Sequence, residues 1–198
     1  SSNDGQLFLV DLHSNKSLSS CTAHKLPWTE ESCEVWTCDY WDESVVCSGG
    51  EDCTVRLWDT RGGLDSAVGV IKGFDAGVTF TQFIDDHSLL TGSYDSFIRL
   101  FDIRQPKRTV EETETNGGVW HMEENELGWM ASCMYGGWML VDRHLIPQAQ
   151  SQSAGSTLLY GSALSPDLTV LARCTFNDST LSVDLLPPNL SWSQLFPL

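Results

Sequence analysis

The sequence predicts an all-β protein that is built from a repeated hairpin. In the clearest copy, residues 48–59, small residues lead into a tight acidic turn and then into an alternating strand that ends at an aspartate. Alternation of apolar and polar residues with a period of two, bounded by Gly and Asp, is typical of an antiparallel hairpin. Related stretches close at Asp102, Asp142 and Asp184, so that the closing aspartates of the four copies are spaced by 43, 40 and 42 residues. This repeat length predicts the blades of a β-propeller.

The Trp58-Asp59 pair that closes the first copy is typical of WD-repeat blades. Residues 1–22 are predicted to form part of a blade, with residues 16–21 as its outer strand. Four further blades are predicted at approximately residues 24–73, 74–115, 116–158 and 159–198. Because WD-repeat rings commonly have more than four blades and an open arc leaves strand edges unpaired, we expect an incomplete ring whose N-terminal blades are missing.

Two segments depart from the repeat. The polar run 148–156 is rich in Ser and Gln, and we expect a surface loop there that replaces part of the outer strand of its blade. The tail from residue 187 onward is punctuated by prolines and ends in apolar residues.

The composition narrows the class of protein. A formal net charge of −16 repels phosphate backbones, so no nucleic-acid binding is expected. No apolar run is long enough to span a bilayer, and we expect no membrane association. The seven cysteines are odd in number and form no CxxC pair, which favours reduced thiols over disulfides or zinc ligands. These features predict a monomeric, cytoplasmic protein.

Four polar side chains of the first complete repeat suit a buried hydrogen-bonded network: His24, Ser48, Asp52 and Trp58. Such a network stabilises a protein only when every member is satisfied, so a structural role for His24 is favoured over a catalytic one. The second repeat keeps Thr91 and Asp95 but has Phe101 in place of the tryptophan and no matching histidine. We expect packing to hold that repeat.

Generic catalytic motifs are missing from the sequence. There is no G-x-S-x-G elbow, no Walker-type glycine loop and no H-E-x-x-H motif. Cys133 and Cys174 are conceivable nucleophiles, but both lie in apolar strand patterns, where burial makes a thiol inert. Generic motifs alone therefore favour a WD-repeat adaptor that binds other proteins and catalyses nothing.

Longer stretches of the sequence point to one WD-repeat family. They are Glu34-Val35-Trp36, Ser48-Gly49-Gly50-Glu51-Asp52, Trp58-Asp59-Thr60-Arg61, Leu90-Thr91-Gly92-Ser93-Tyr94-Asp95, Gly117-Gly118-Val119-Trp120, Ala131-Ser132-Cys133-Met134-Tyr135-Gly136-Gly137 and Leu171-Ala172-Arg173-Cys174-Thr175-Phe176-Asn177-Asp178. Together they resemble the eukaryotic diphthine methyl ester hydrolases, also called diphthine methyltransferases, over roughly residues 4–185. The chain departs from the family pattern at Phe74-Asp75 and Tyr135, where histidines are expected, and in the acidic run 123–126.

The resemblance implies hydrolysis of the methyl ester of methylated diphthine on a histidine of elongation factor 2, in diphthamide synthesis, without a cofactor. Ester hydrolysis needs a base and donors for the developing oxyanion. The catalytic candidates are Glu34, Asp95 and His121. The candidates for substrate binding are Tyr94, Asp95, Trp120 and Tyr135, whose aromatic rings can surround the trimethylammonium group of the substrate. The alternative roles are structural: aromatic wedges between blades for Trp36 and Trp120, and turn formation for the aspartates.

Overall fold

The computed structural model describes residues 3–151 and 156–186. This part of the chain contains seventeen β-strands, one 3₁₀ turn at Thr60–Gly62 and no α-helix, and it has no helix long and apolar enough to cross a membrane. The strands are β1 (Gln6–Asp11), β2 (Lys16–Thr22), β3 (Val35–Tyr40), β4 (Val45–Gly50), β5 (Val55–Asp59), β6 (Ala67–Ile71), β7 (Val78–Phe83), β8 (Ser88–Ser93), β9 (Phe97–Asp102), β10 (Thr109–Glu114), β11 (His121–Asn125), β12 (Gly128–Ser132), β13 (Trp138–Val141), β14 (Pro147–Gln150), β15 (Leu159–Leu164), β16 (Val170–Thr175) and β17 (Leu181–Leu185).

Neighbouring strands along the chain pair with each other in five sheets. Their orders are β1-β2, β3-β4-β5-β6, β10-β9-β8-β7, β11-β12-β13-β14 and β15-β16-β17. A four-stranded antiparallel meander is the unit of a propeller blade, and three of the sheets have this form. The predicted fold class, an all-β propeller, is confirmed.

The five sheets lie inside the five segments that the repeat spacing predicts. The last predicted blade extends to residue 198, but residues 187–198 lie outside the described residues. The prediction of a loop at 148–156 is wrong for residues 148–150, because these residues belong to β14, which pairs with β13. Ala149 is fully buried while Gln148 and Gln150 are not, so a half-buried strand of period two underlies this polar sequence. Residues 152–155 lie outside the described residues.

The chain forms two compact units, each with its own apolar core. Unit 1 comprises Ser1–Thr91 and Leu100–Val110, and unit 2 comprises Gly92–Arg99 and Glu111–Leu198. Two buried clusters stabilise unit 1: Cys47, Val55, Leu57, Ile71, Phe74, Val78, Leu89 and Phe101 in one, and Leu7, Ala23, Val35, Val46, Trp58 and Leu64 in the other. In unit 2 the buried cluster is Met130, Trp138, Leu140, Ala149, Leu159, Leu171 and Leu186.

Three of the aspartates that close the third strand of a repeat, Asp59, Asp102 and Asp142, form turns with their own backbone, whereas Asp184 lies within β17 and pairs with Arg173. Asp59 and Asp102 each accept a hydrogen bond from the backbone N–H two residues later, at 3.0 and 2.9 Å. Each also pairs with an arginine at that position, Arg61 and Arg104. Asp142 accepts the same backbone bond at 2.8 Å. Aspartate recurs at this position because its short carboxylate can cap the turn.

The same arginines make these turns sensitive to acid. Hydrogen bonds from Arg61 and Arg104 hold the pKa of Asp59 and Asp102 at about 2, below the ordinary 3.8. A carboxylate whose pKa is lowered on folding adds stability above its unfolded pKa, and this stability is lost as the pH falls through the folded pKa. We therefore expect the melting temperature to fall as the pH is lowered from about 4 to about 2.

A variant carrying both Asp59→Asn and Asp102→Asn should lose less of its melting temperature over the same interval. Asparagine keeps the oxygen that caps the turn and removes the charge. Thermal unfolding followed by circular dichroism at both pH values tests this expectation, and an equal fall in parent and variant would contradict it.

Candidate functional site

The structure brings together the four side chains of the predicted network in unit 1. His24 Nδ1 lies 2.7 Å from Asp52 Oδ1, and His24 Nε2 lies 2.8 Å from Ser48 Oγ. The indole N–H of Trp58 donates to the same hydroxyl oxygen at 2.9 Å. All four residues are buried. The network links the loop before β3 to strands β4 and β5 and to the turn between them.

Asp52 stays ionised inside this network. Burial opposes its ionisation, but hydrogen bonds from His24 and Thr54, with the charges of His24 and Arg56, bring its pKa below the ordinary value. Thr54 Oγ1 donates to Oδ1 at 2.7 Å, and Arg56 Nη2 donates to Oδ2 at 3.1 Å. Both carboxylate oxygens are therefore occupied by protein donors, which favours a structural role.

The second repeat replaces the imidazole and the indole by two phenyl rings. Phe74 and Phe101 are buried in the core of unit 1, with ring centroids 5.6 Å apart and planes inclined by 50°. A tilted pair at this distance is a favourable aromatic contact. Apolar packing here takes the place of hydrogen bonding.

Unit 2 carries a row of four aromatic rings, Tyr94, Trp120, Tyr160 and Phe176, here called the aromatic row. Successive ring centroids are 5.7, 4.8 and 5.5 Å apart. The first two side chains are partly buried, whereas Tyr160 is 41% and Phe176 63% exposed. The row is therefore anchored at one end and open to solvent at the other.

Two backbone hydrogen bonds position these rings, one between two sheets and one within a sheet. The N–H of Val119 donates to the carbonyl of Ser93 at 2.9 Å, which places Trp120 beside the residue that follows Ser93. The N–H of Phe176 donates to the carbonyl of Leu158 at 2.9 Å and so continues the pairing of β15 with β16. The first bond joins the end of β8 to the segment before β11, and the second joins the end of β16 to the segment before β15.

The predicted substrate-binding residues lie in different environments. Tyr94 and Trp120 lie in the aromatic row. Tyr135, in the turn between β12 and β13, is 51% exposed and stacks on no other ring among the described residues. The carboxylate of Asp95 is buried and accepts two hydrogen bonds from Arg99 Nη1, at 3.0 and 2.8 Å. Because this arginine neutralises the carboxylate, the geometry favours turn formation for Asp95.

The catalytic candidate His121 follows Trp120 directly in the chain and begins β11. It is exposed and borders an open groove of about 220 Å³. The other residues around the groove are Glu123, Gly161, Ser162, Ala163, Ala172, Arg173, Cys174 and Leu181. His121 and Glu123 point to the same face of β11, because side chains two apart along a strand do so. The groove therefore combines an imidazole and a carboxylate.

Glu34, the third catalytic candidate, belongs to unit 1. It is exposed, and its Oε2 accepts a hydrogen bond from the indole N–H of Trp36 at 2.6 Å. This bond orients the carboxylate along the sheet edge at the start of β3. Within residues 3–151 and 156–186, no group of His, Cys, Asp and Glu side chains is arranged to hold a metal ion.

The two cysteines considered as nucleophiles differ in environment. Cys133 is buried, and burial raises its pKa to about 12, so this thiol is inert, as expected from its strand pattern. The prediction that Cys174 is also buried is wrong, because its thiol is exposed and borders the groove. Its partner across the sheet is Gly161, which has no side chain to cover the sulfur.

Two residues of the aromatic row, Tyr160 and Phe176, were not among the candidates from the sequence. A signal for Tyr160 was present, since it stands 40 residues after Trp120, one repeat further along the chain. A signal for Phe176 was present as well, since it stands eight residues before the closing Asp184, as Tyr94 stands eight residues before the closing Asp102.

Comparisons with known proteins agree with this architecture. The family model described as "WD domain, G-beta repeat" matches residues 15–59 and 66–102. A chain in the structure titled "Crystal Structure of Mitotic Checkpoint Complex" superposes with a TM-score of 0.73, covering 94% of this chain and 58% of that one. The two sequences are 15% identical, so this likeness shows the fold alone.

Three curated relatives share one name. The chain is 29% identical over 175 residues to the diphthine methyltransferase of Mus musculus, which covers 81% of the chain and 36% of the relative. It is 31% identical to the Dictyostelium discoideum homolog (70% and 41% covered) and 31% identical to the Homo sapiens protein (72% and 32% covered). The chain thus spans about a third to two fifths of the length of these relatives. It belongs to the diphthine methyltransferase family of WD-repeat proteins.

Proposed function

We propose that the chain acts in diphthamide biosynthesis and hydrolyses the methyl ester of methylated diphthine on elongation factor 2 in the cytoplasm. The names of its relatives support the pathway. The observation that carries the proposal for this chain is the groove of unit 2, which His121 and Glu123 border; Trp120 of the aromatic row directly precedes His121 in the chain. A base and a surface for an apolar cation are the two elements that this substrate requires.

His121 is the proposed general base. Its imidazole takes a proton from a water molecule, whose oxygen attacks the carbonyl carbon of the ester. The tetrahedral intermediate then collapses and expels methoxide, which takes the proton from the imidazolium and leaves as methanol, while the acid that forms releases its proton to solvent and remains as the carboxylate of diphthine. Glu123 shares the groove, and its negative charge favours the imidazolium that forms during the reaction. Asp95 takes no part, since Arg99 holds its carboxylate.

The direct test uses the 198-residue chain and elongation factor 2 that carries methylated diphthine. Mass spectrometry of the modified peptide should show the conversion of methyl ester into acid, increasing with time and with the amount of chain added. Heat-denatured chain serves as the control. Absence of conversion over a wide range of chain concentrations would contradict the hydrolase activity.

A non-catalytic adaptor is the second candidate. The exposed aromatic row favours it, because exposed apolar patches commonly mark surfaces that bind other proteins. An adaptor would retain elongation factor 2 in a pull-down and leave the ester intact. The same samples can be used for both measurements, so that binding with no conversion supports the adaptor.

A further inference from the structure

We propose that two copies of the chain form a dimer through one face of the sheet β15-β16-β17, here called the outer face. The overall composition predicts a monomer, whereas the side chains of this face are typical of a buried interface. Every residue involved belongs to unit 2, and the dimer itself does not depend on the proposed function.

Both faces of this sheet are apolar. On the inner face, Leu159 and Leu171 are buried in the core of unit 2, and the ion pair of Arg173 with Asp184 lies on that side too, because side chains two apart along a strand share a face. The outer face consists of Gly161 and Ala163 from β15, Val170, Ala172 and Cys174 from β16, and Leu181, Val183 and Leu185 from β17. Over these three strands, which are described in full, the outer face carries no charged side chain. In a chain that carries −16, such a face lets two copies meet with little local repulsion.

The large side chains of the outer face are exposed. Leu181, Val183 and Leu185 are 71%, 60% and 82% exposed. Phe176 lies two residues after Cys174 and extends the face at one end, where Tyr160 stacks on it. The described residues leave roughly 600 Å² of apolar surface uncovered here, as much as the largest patches on typical monomeric proteins. Two such surfaces against each other cover about 1,200 Å², which is the lower bound for a specific, stable interface.

The outer face is also complementary to itself in shape. The three exposed residues of β17 form a ridge, because they alternate with residues that point inward. The small residues Gly161, Ala163, Ala172 and Cys174 form a trough, which is the floor of the groove of about 220 Å³. Under a two-fold axis, the ridge of each copy lies in the trough of the other. A contact of this kind closes at two copies and does not continue into a fibre.

Sedimentation equilibrium of the unmodified 198-residue chain tests the dimer. Runs from about 1 to about 500 μM use about 0.15 M salt, which screens the repulsion between the two acidic copies. We expect the mass to rise from the 22.0 kDa of one chain to twice that value and no further, with a dissociation constant in the micromolar range.

Two other occupants of the outer face give a different result. They are an apolar segment of another protein and residues 187–198 of the chain itself, which lie outside the described residues. Either one leaves the purified chain at 22.0 kDa at every concentration, and that outcome would overturn the proposal.

Variants then locate the interface. Val183→Lys should weaken the dimer by about a hundred-fold or more, because the two-fold axis brings two new charges into an apolar contact. Val68→Lys is the matched control, since Val68 is a similarly exposed valine (64%) in β6 of unit 1. Leu185→Ala, which adds no charge, should weaken the dimer by about ten-fold and serves if the lysine variant does not fold. Parent-like dissociation constants in the variants of β17 would refute the outer face as the interface.

The dimer also affects the groove, and this consequence rests on the proposed function. Because the trough is the floor of the groove that His121 and Glu123 border, a second copy and the substrate compete for it. The rate of ester hydrolysis per chain should therefore fall above the dissociation constant of the dimer, and in Val183→Lys it should stay constant over the same concentrations. A constant rate in a parent chain that does dimerise would overturn the placement of the ridge in the trough. Absence of hydrolysis at every concentration would refute the proposed function and leave the dimer, measured by sedimentation, standing.

Discussion

Replacing His121 by glutamine is expected to lower the rate of ester hydrolysis by about a hundred-fold or more, because a positioned general base contributes about 10²–10⁴ to such reactions. Glutamine approximates the size and polarity of the imidazole but cannot hold the proton of the attacking water. Since the base acts mainly in the transition state, kcat should fall while KM changes little. Single-turnover experiments with mass-spectrometric detection of the acid product measure this effect.

His144→Gln is the matched control for this variant. His144 is an exposed histidine of unit 2, and its nearest charged partner is Glu111, at 3.5 Å. The groove does not include it, so the control should hydrolyse the ester at the parent rate. Parent-like kcat in the His121→Gln variant would show that another group removes the proton, and His121 would then be a groove residue with no catalytic role.

Replacing His24 by alanine is expected to lower the free energy of unfolding of the chain by about 2–4 kcal/mol. The imidazole is fully buried and connects Asp52 to Ser48. Its removal leaves a cavity and takes one hydrogen-bond partner from each of these buried groups, and an unsatisfied buried polar group is costly. Urea denaturation followed by circular dichroism gives the change, read as a lower midpoint at unchanged slope.

Two further variants make this measurement specific. Trp58→Phe keeps an aromatic ring, as at Phe101 of the second repeat, but removes the N–H that donates to Ser48 and part of the buried indole ring, so a loss of at least about 1 kcal/mol is expected. His13→Ala changes an exposed histidine of unit 1 and should stay within about 0.5 kcal/mol of the parent. A His24→Ala variant as stable as the His13→Ala control would mean that the network adds no stability.

Much of the fold followed from local chemistry that the sequence displays directly. The turns at the recurring aspartates could be recognised from the sequence, because a carboxylate that caps a turn acts within two or three residues of its own position. The outer strands β6 and β10 could be recognised because burial of one face imposes a period of two, whereas β4, β8, β12 and β13 are buried on both faces. The polar strand β14 was not predicted from the sequence, because only Ala149 on its buried face is apolar.

The candidate site was less predictable because its members come from different repeats. Tyr94 and Trp120 were expected to lie together, but the partner of Asp95 was not foreseen. The carboxylate was a candidate for substrate binding until the structure placed Arg99 against it. Whether a charged side chain is available to a ligand depends on its neighbours in space, and sequence spacing alone does not determine them.

By itself, the sequence determined the repeat length, the all-β propeller class, the family and the membership of the buried network of His24, Ser48, Asp52 and Trp58. These depend on short-range turn chemistry, strand periodicity and motifs that recur at fixed spacing. Only the tertiary structure decided that Cys174 is exposed opposite Gly161, and that Tyr160 and Phe176 extend the row begun by Tyr94 and Trp120. Exposure and ring stacking are set by pairing between strands and packing between repeats, so residues far apart in the chain decide them together.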